Sequence, residues 1–351
     1  MRFQQAPTRQ VPTWIRTSMF VLPALVAAYV TGISAQDAAP GATRPVSYTQ
    51  KGNPPSGPNP VVIEQDPGLM THTIYRPANL TAAKYPMMVW GEGGCAKNGL
   101  TFPEYLSEIA SYGFVIVADG PPVQGGGGPG AGKGATGGGP GGAKGEGAPG
   151  AAKGGAPGAA AAKGKGGGAP AGAGNMLDGS ALVAAMNWMD KEIKDPKSRF
   201  YQKVDTAHVA AMGMSCGGLM SYGASADPRI ATVGIWNSGM FDPKDQKIID
   251  GIHSPMIIIT GGDSDIAHDN GKKDFEVMPA RVPIFYGVYP SVGHGGTYNQ
   301  DNGGAFGQVA VAWLKWQLQG DTSAKGKGYF LGANCGLCTD SNWQIQSRSI
   351  K

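Results

Sequence analysis

The stretch His208–Ala224 constrains the fold more than any other part of the chain. His208-Val-Ala-Ala-Met212 is an apolar strand candidate, Gly213-Met-Ser-Cys-Gly217 follows without a break, and Gly218-Leu-Met-Ser-Tyr-Gly-Ala224 can open a helix. A Gly-x-Ser-x-Gly turn between a strand and a helix is a sharp elbow. The strained turn exposes the serine oxygen, and the flanking glycines let the two segments pass closely. A strand that feeds straight into a helix also calls for a sheet in which strands and helices alternate.

The remaining sequence supplies that alternation. From Val61 the pattern becomes strand-like, with short β-type runs at His72-Thr-Ile-Tyr-Arg-Pro77 and Met87-Met-Val-Trp90. Phe102–Ser111 reads as a helix and Phe114-Val-Ile-Val-Ala118 as the next strand. Asp178 is positioned to cap a helix carrying Leu182, Met186, Met189 and Ile193 at helical spacing. Further strands are expected at Ile230–Trp236, Pro255–Thr260 and Val282–Val288, and a last helix at Phe306–Leu318. This order predicts an α/β fold, a mostly parallel central sheet flanked by helices. One domain over 61–320 is expected, preceded by an extended leader at 36–60 and followed by a tail at 321–351.

One segment is compositionally foreign. Residues 125–174 hold 24 of the chain's 58 glycines and otherwise consist almost entirely of Ala, Pro and Lys. The glycine period breaks at Ala159–Ala162, which excludes a collagen helix. Such a composition cannot bury enough apolar surface to offset its ordering entropy, so a disordered insert between a strand and a helix is expected. Lys133, Lys144, Lys153, Lys163 and Lys165 against Glu146 make it cationic, and it is either without function or a tether to an anionic surface. The chain's formal charge of +4 comes from this insert and from Arg2, Arg9 and Arg16; the remainder is mildly acidic. Nucleic-acid binding is therefore excluded as a reading of the overall charge.

The three amino-terminal arginines precede the apolar run Met19–Val30, with small residues at Ser34-Ala35. An apolar core of about 12 residues fits a secretory signal over 1–35 better than a membrane anchor. A secreted or periplasmic protein is expected, monomeric and without a cofactor. The four cysteines, Cys95, Cys216, Cys335 and Cys338, are an even set that suits disulfides in an exported chain. Cys335-Gly-Leu-Cys338 reads as a structural tie for the tail, because no strand–helix context marks it as a redox pair.

A serine hydroxyl needs an adjacent base to act as a nucleophile. Among His72, His208, His253, His268 and His294, the last follows the final expected strand, in Ser291-Val-Gly-His-Gly-Gly296. It therefore falls at the carboxyl edge of a parallel sheet, where sites gather. His294 is the expected base for Ser215. The run Met256-Ile-Ile-Ile-Thr-Gly-Gly-Asp-Ser-Asp265 ends in two acids, Asp263 and Asp265, either of which could orient the imidazole. The acidic loop Asp263–Asp274 departs from a calcium-binding loop at Ala267, so no metal is expected. Oxyanion donors are expected from the amides of Cys216, just after the serine, and of Gly94, in the loop after Met87–Trp90. Cys95 and Cys216 would then adjoin those donors, either as a disulfide bracing the site or as two buried thiols.

With the elbow Gly213–Gly217, the stretch Gly261-Gly-Asp-Ser-Asp-Ile-Ala267 and Gly293-His-Gly295, the chain resembles the α/β-hydrolase superfamily over roughly Pro60 to Gly320. It looks most like the secreted branch of dienelactone hydrolases, cutinases and polyester hydrolases. That resemblance implies Asp265 as the triad acid and Trp236 as an aromatic substrate contact. Val89–Cys95, His294–Tyr298, Asn302–Gly304 and Cys335–Cys338 also resemble a group of uncharacterised secreted fungal and bacterial hydrolases. The chain departs from the polyester enzymes at Cys216 and in its insert. The implied activity is that of a serine carboxylic ester hydrolase on small or polymeric esters, aromatic polyesters included. A serine peptidase or acyltransferase on the same fold, and a surface-binding protein acting through the insert, are the alternatives.

Overall fold

A computed structural model describes residues 43–81, 84–124, 175–242 and 245–351, all within one compact unit. The expected signal at 1–35 and the insert at 125–174 lie outside the described residues. The strands are β1 (Arg44–Pro45), β2 (Val61–Gln65), β3 (His72–Pro77), β4 (Tyr85–Gly91), β5 (Val115–Asp119), β6 (Val204–Met214), β7 (Ile230–Trp236), β8 (Met256–Thr260), β9 (Ile284–Val288) and β10 (Gln344–Arg348). The helices are α1 (Pro103–Ser111), α2 (Ser180–Glu192), α3 (Cys216–Ala224), α4 (Gln246–Gly251), α5 (His268–Val277), α6 (Gly304–Gln319) and the short α7 (Gly336–Thr339).

The strands form one 10-stranded sheet in the order β1-β2-β3-β5-β4-β6-β7-β8-β9-β10. From β5 to β9 every neighbouring pair is parallel. The flanks are antiparallel, with β1, β2 and β3 on one side and β10 on the other. The protein is thus α/β with a mostly parallel sheet. Central parallel strands are covered on both faces, which is why they read as unbroken apolar runs.

Alternation along each strand divides the core into two layers. On β4, Met87 and Val89 join Leu182 and Met186 of α2 and Leu219 and Tyr222 of α3. Met88 and Trp90 join Tyr105 and Ile109 of α1 and Phe306 and Trp313 of α6. Helix α6 presents Phe306, Val309, Ala310, Trp313 and Leu314, all buried, at the spacing that lays one stripe on the sheet. It stops at Gly320, whose φ of 68° is the left-handed cap that glycine adopts without a Cβ clash.

Two expectations need correcting. Gly179, not Asp178, is the N-cap of α2; the Asp178 carboxylate accepts the Ser180 amide at 2.9 Å from one position earlier. The folded unit also extends past 61–320. The leader supplies β1 and hydrogen bonds from Asn53 to Asp301 and from the Ser56 amide to Glu108, at 2.7 Å each. The tail supplies β10, whose Arg348 donates to the Phe275 carbonyl at 2.8 Å. Both added strands are edge strands with largely polar, exposed side chains, so they lack the apolar pattern that marks a central strand.

Two disulfides are present, Cys95–Cys216 and Cys335–Cys338. They fit an extracellular or periplasmic setting, where such bonds persist. Among the described residues, no helix is long and apolar enough to cross a membrane.

Candidate active site

The elbow forms as its sequence requires. β6 ends at Met214, α3 begins at Cys216, and Ser215 between them has φ 53° and ψ −116°, strained for a residue with a side chain. The glycines are needed for closeness. A Cβ on Gly217 would lie 1.9 Å from the Gly91 carbonyl oxygen, and one on Gly213 would lie 2.2 Å from that of Gly217. The ends of β4 and β6 and the start of α3 therefore meet backbone to backbone. Ser215 is held on both sides: its amide donates to the Trp236 carbonyl at 2.9 Å, and its carbonyl accepts from Ser238 Oγ at 2.6 Å.

His294 sits on the short turn Gly293–Gly295 after β9, and Asp265 on the turn after β8. Ser215 Oγ is 3.0 Å from His294 Nε2, and His294 Nδ1 is 2.7 Å from Asp265 Oδ1. The three residues named from sequence are thus brought together, although 79 positions separate the serine from the histidine. Asp263, the other acid considered, is directed into solvent, 3.9 Å from His268. The Nδ1 atom of His268 faces Thr260 Oγ1 at 2.9 Å.

The Asp265 carboxyl is buried, which alone would raise its pKa. Hydrogen bonds from His294, the Gly261 and Ala267 amides and Asn237 outweigh that burial and hold the carboxyl below the usual range. An ionised carboxylate accepts hydrogen bonds only. Asp265 therefore fixes the proton of His294 on Nδ1 and leaves the Nε2 lone pair facing the serine.

Gly94 and Cys216 both line the cleft at Ser215, a cavity of 270 Å³. As the first residue of α3, Cys216 has an amide without an intrahelical acceptor. The loop carrying Gly94 is joined to α3 by the Cys95–Cys216 disulfide, with 5.2 Å between the α-carbons. Glu92, at the base of that loop, is turned inward and fully buried, and burial pushes its carboxyl well above the usual range, towards the neutral form.

The cleft walls are mainly apolar and include Met176, Leu219, Phe241 and Ile266. Trp236 does not line the cleft. It is wholly buried on β7, against Tyr105 and Phe306 in the layer beneath α1 and α6. The residue that the resemblance implies stands at the end of the strand beside the cleft, but its ring is on the inward face. The aromatic ring that does reach the cleft is Phe241, five positions on and 41% exposed. Cys335 and Cys338 lie in the tail, where their disulfide closes α7 onto itself.

Asn237, Ser238 and Tyr298 were not singled out from sequence, although all three contact the Ser215–His294–Asp265 group or its supports. Their only signal was position at the carboxyl edge of the sheet, Asn237 and Ser238 directly after β7 and Tyr298 in the loop after β9. Among the described residues, no group of His, Cys, Asp and Glu converges as metal ligands do. No protein-family model matches the chain, and no curated protein sequence matches it.

Proposed function

We propose that this protein is an exported serine hydrolase of the α/β-hydrolase type that cleaves carboxylic esters through an acyl-enzyme. The reading is carried by the unbroken line from Ser215 Oγ through His294 to Asp265, at 3.0 and 2.7 Å. The strand–elbow–helix context and the chain order Ser, Asp, His support it.

Ser215 Oγ attacks the ester carbonyl carbon as His294 Nε2 takes its proton. Asp265 stabilises the imidazolium that forms. The amides of Cys216 and Gly94 donate hydrogen bonds to the developing oxyanion, and one such donor contributes about 10²–10³ in rate. Collapse of the intermediate expels the alcohol, which takes the proton from Nε2. Water then attacks the acyl-enzyme with Nε2 as base, releasing the acid and restoring the serine.

The cleft indicates the kind of ester. Its described lining includes no Asp, Glu, Lys or Arg, while Met176, Leu219, Phe241 and Ile266 offer apolar surface. An uncharged ester with an alkyl or aryl acyl group suits such walls, as a small molecule or as a segment of a polyester. The reaction requires no cofactor, and a monomer suffices because each residue in the scheme comes from one chain. The cationic insert is a candidate contact for an anionic surface.

Labelling with a fluorophosphonate probe followed by peptide mapping is the test. Modification at Ser215 is expected, and Ser215→Ala should lose labelling and lower turnover of short p-nitrophenyl esters by about 10⁴-fold or more. Undiminished turnover by the folded variant would overturn the assignment. Efficient turnover of matched amides or peptides alongside the esters would favour a peptidase.

A further inference from the structure

The residues after β7 do more than form a wall of the cleft. Three consecutive residues there reach all three loops of the catalytic group. Trp236 accepts the Ser215 amide at 2.9 Å through its carbonyl, and Ser238 Oγ donates to the Ser215 carbonyl at 2.6 Å. Between them, Asn237 Nδ2 donates to Asp265 Oδ2 at 2.8 Å and to the Gly293 carbonyl at 3.0 Å. Its Oδ1 accepts from the Tyr298 hydroxyl at 2.5 Å.

The orientation of this carboxamide follows from its partners. A carboxylate and a backbone carbonyl only accept, so the nitrogen must face Asp265 and Gly293, and the oxygen is left for the hydroxyl donor. Asn237 is wholly buried, so each of these groups would lose a partner that water could not readily replace. Its φ of 42° lies in the left-handed region, which asparagine tolerates better than most residues. Asp265 meanwhile accepts four hydrogen bonds, two at each oxygen, which fills its acceptor sites.

We propose that Asn237 is a positioning residue of the catalytic group, a clamp that fixes Asp265 and the His294 turn relative to each other. One of its amide hydrogens restrains the acid, and the other restrains the backbone immediately before the base. Tyr298, four positions after His294 in the chain, holds the clamp through its hydrogen bond to the Asn237 oxygen. The inference rests on the serine hydrolase reading and adds a residue to it. It places the alignment of imidazole and carboxylate under the control of a third loop.

Asn237→Gly removes the carboxamide while suiting the backbone angle. The expected result is a fall in kcat of about 10- to 100-fold with KM within about twofold, since misplacing the base impairs chemistry more than binding. The discriminating measurement is a double-mutant cycle with Asp265→Ala. A residue acting through Asp265 loses most of its effect once Asp265 is gone, whereas a merely structural residue costs the same factor in both backgrounds. Equal factors, or a folded Asn237→Gly with wild-type kcat, would overturn the proposal. Should Asn237→Gly fail to fold, Tyr298→Phe decides, with an expected kcat loss of about 3- to 10-fold against none. Absence of labelling at Ser215 in the unaltered protein would instead defeat the serine hydrolase reading itself.

Discussion

Asp274, on α5, offers the sharpest energetic prediction. It is wholly buried, and its Oδ2 accepts from Tyr222 of α3 and from the Met240 amide beside the cleft, both at 2.8 Å. Its other oxygen has no hydrogen-bond partner among the described residues. Burial pushes the carboxyl up to about 7, although the bonds from Met240 and Tyr222 oppose the rise. An unfolded aspartate titrates near 3.9, so the gap is about three units, worth about 4 kcal/mol. The sign follows from proton binding. Between about pH 4 and pH 7 the folded chain keeps a proton that the unfolded chain has released. The contribution is therefore fully present below about pH 4 and is lost as pH rises through about 7. Asp274→Asn keeps an acceptor for Tyr222 and Met240 but cannot ionise. Urea unfolding of both proteins should give a stability difference that moves by about 4 kcal/mol in the variant's favour between about pH 4 and pH 8. Taking the difference cancels groups common to both, Glu92 included. Profiles that stay parallel within about 1 kcal/mol would refute the reasoning, because the buried acid would then carry no pH-dependent cost.

Replacing both Cys95 and Cys216 by alanine opens a loop of 121 residues, and chain entropy sets the expected loss at about 4–5 kcal/mol by denaturant unfolding. The same variant should lose kcat, because the Gly94 loop is no longer tied to α3; an unaltered kcat would mean that the glycine contacts alone hold the loop. Phe241→Ala, at the cleft rim, should raise KM for aryl esters by about 10-fold while leaving the rate of fluorophosphonate labelling at Ser215 within about twofold. A slowed labelling rate would argue that the ring shapes the catalytic geometry rather than binding substrate.

The central strands were legible because each must be apolar on both faces, and that property survives in a linear reading as Met256-Ile-Ile-Ile or Val115-Ile-Val. The same property hid which face each residue takes. The residues leading into Trp236, Val233-Gly-Ile235, are all apolar, so nothing in the run said that the ring turns into the core while Asn237 turns towards the acid. The choice between Asp263 and Asp265 was also closed to a reading of spacing. It is decided by four hydrogen bonds, two of them from the Gly261 and Ala267 amides of the turn itself, which draw one carboxylate inward and leave the other in water. The polar edge strands went unseen because pairing at an edge asks little of the side chains.

The clamp residue illustrates a deeper limit. A helix cap or a tight turn leaves a local trace, because its partners lie a few positions away. Asn237 bonds to Asp265, Gly293 and Tyr298, which lie 28, 56 and 61 positions away. Those distances collapse only when β7, β8 and β9 line up in parallel and present their carboxyl ends at one edge. The reactive groups can be nominated individually from their chemistry, since serine, histidine and aspartate each announce a role. The groups that aim them are ordinary amides and hydroxyls, and their meaning arises only from the register that the sheet imposes.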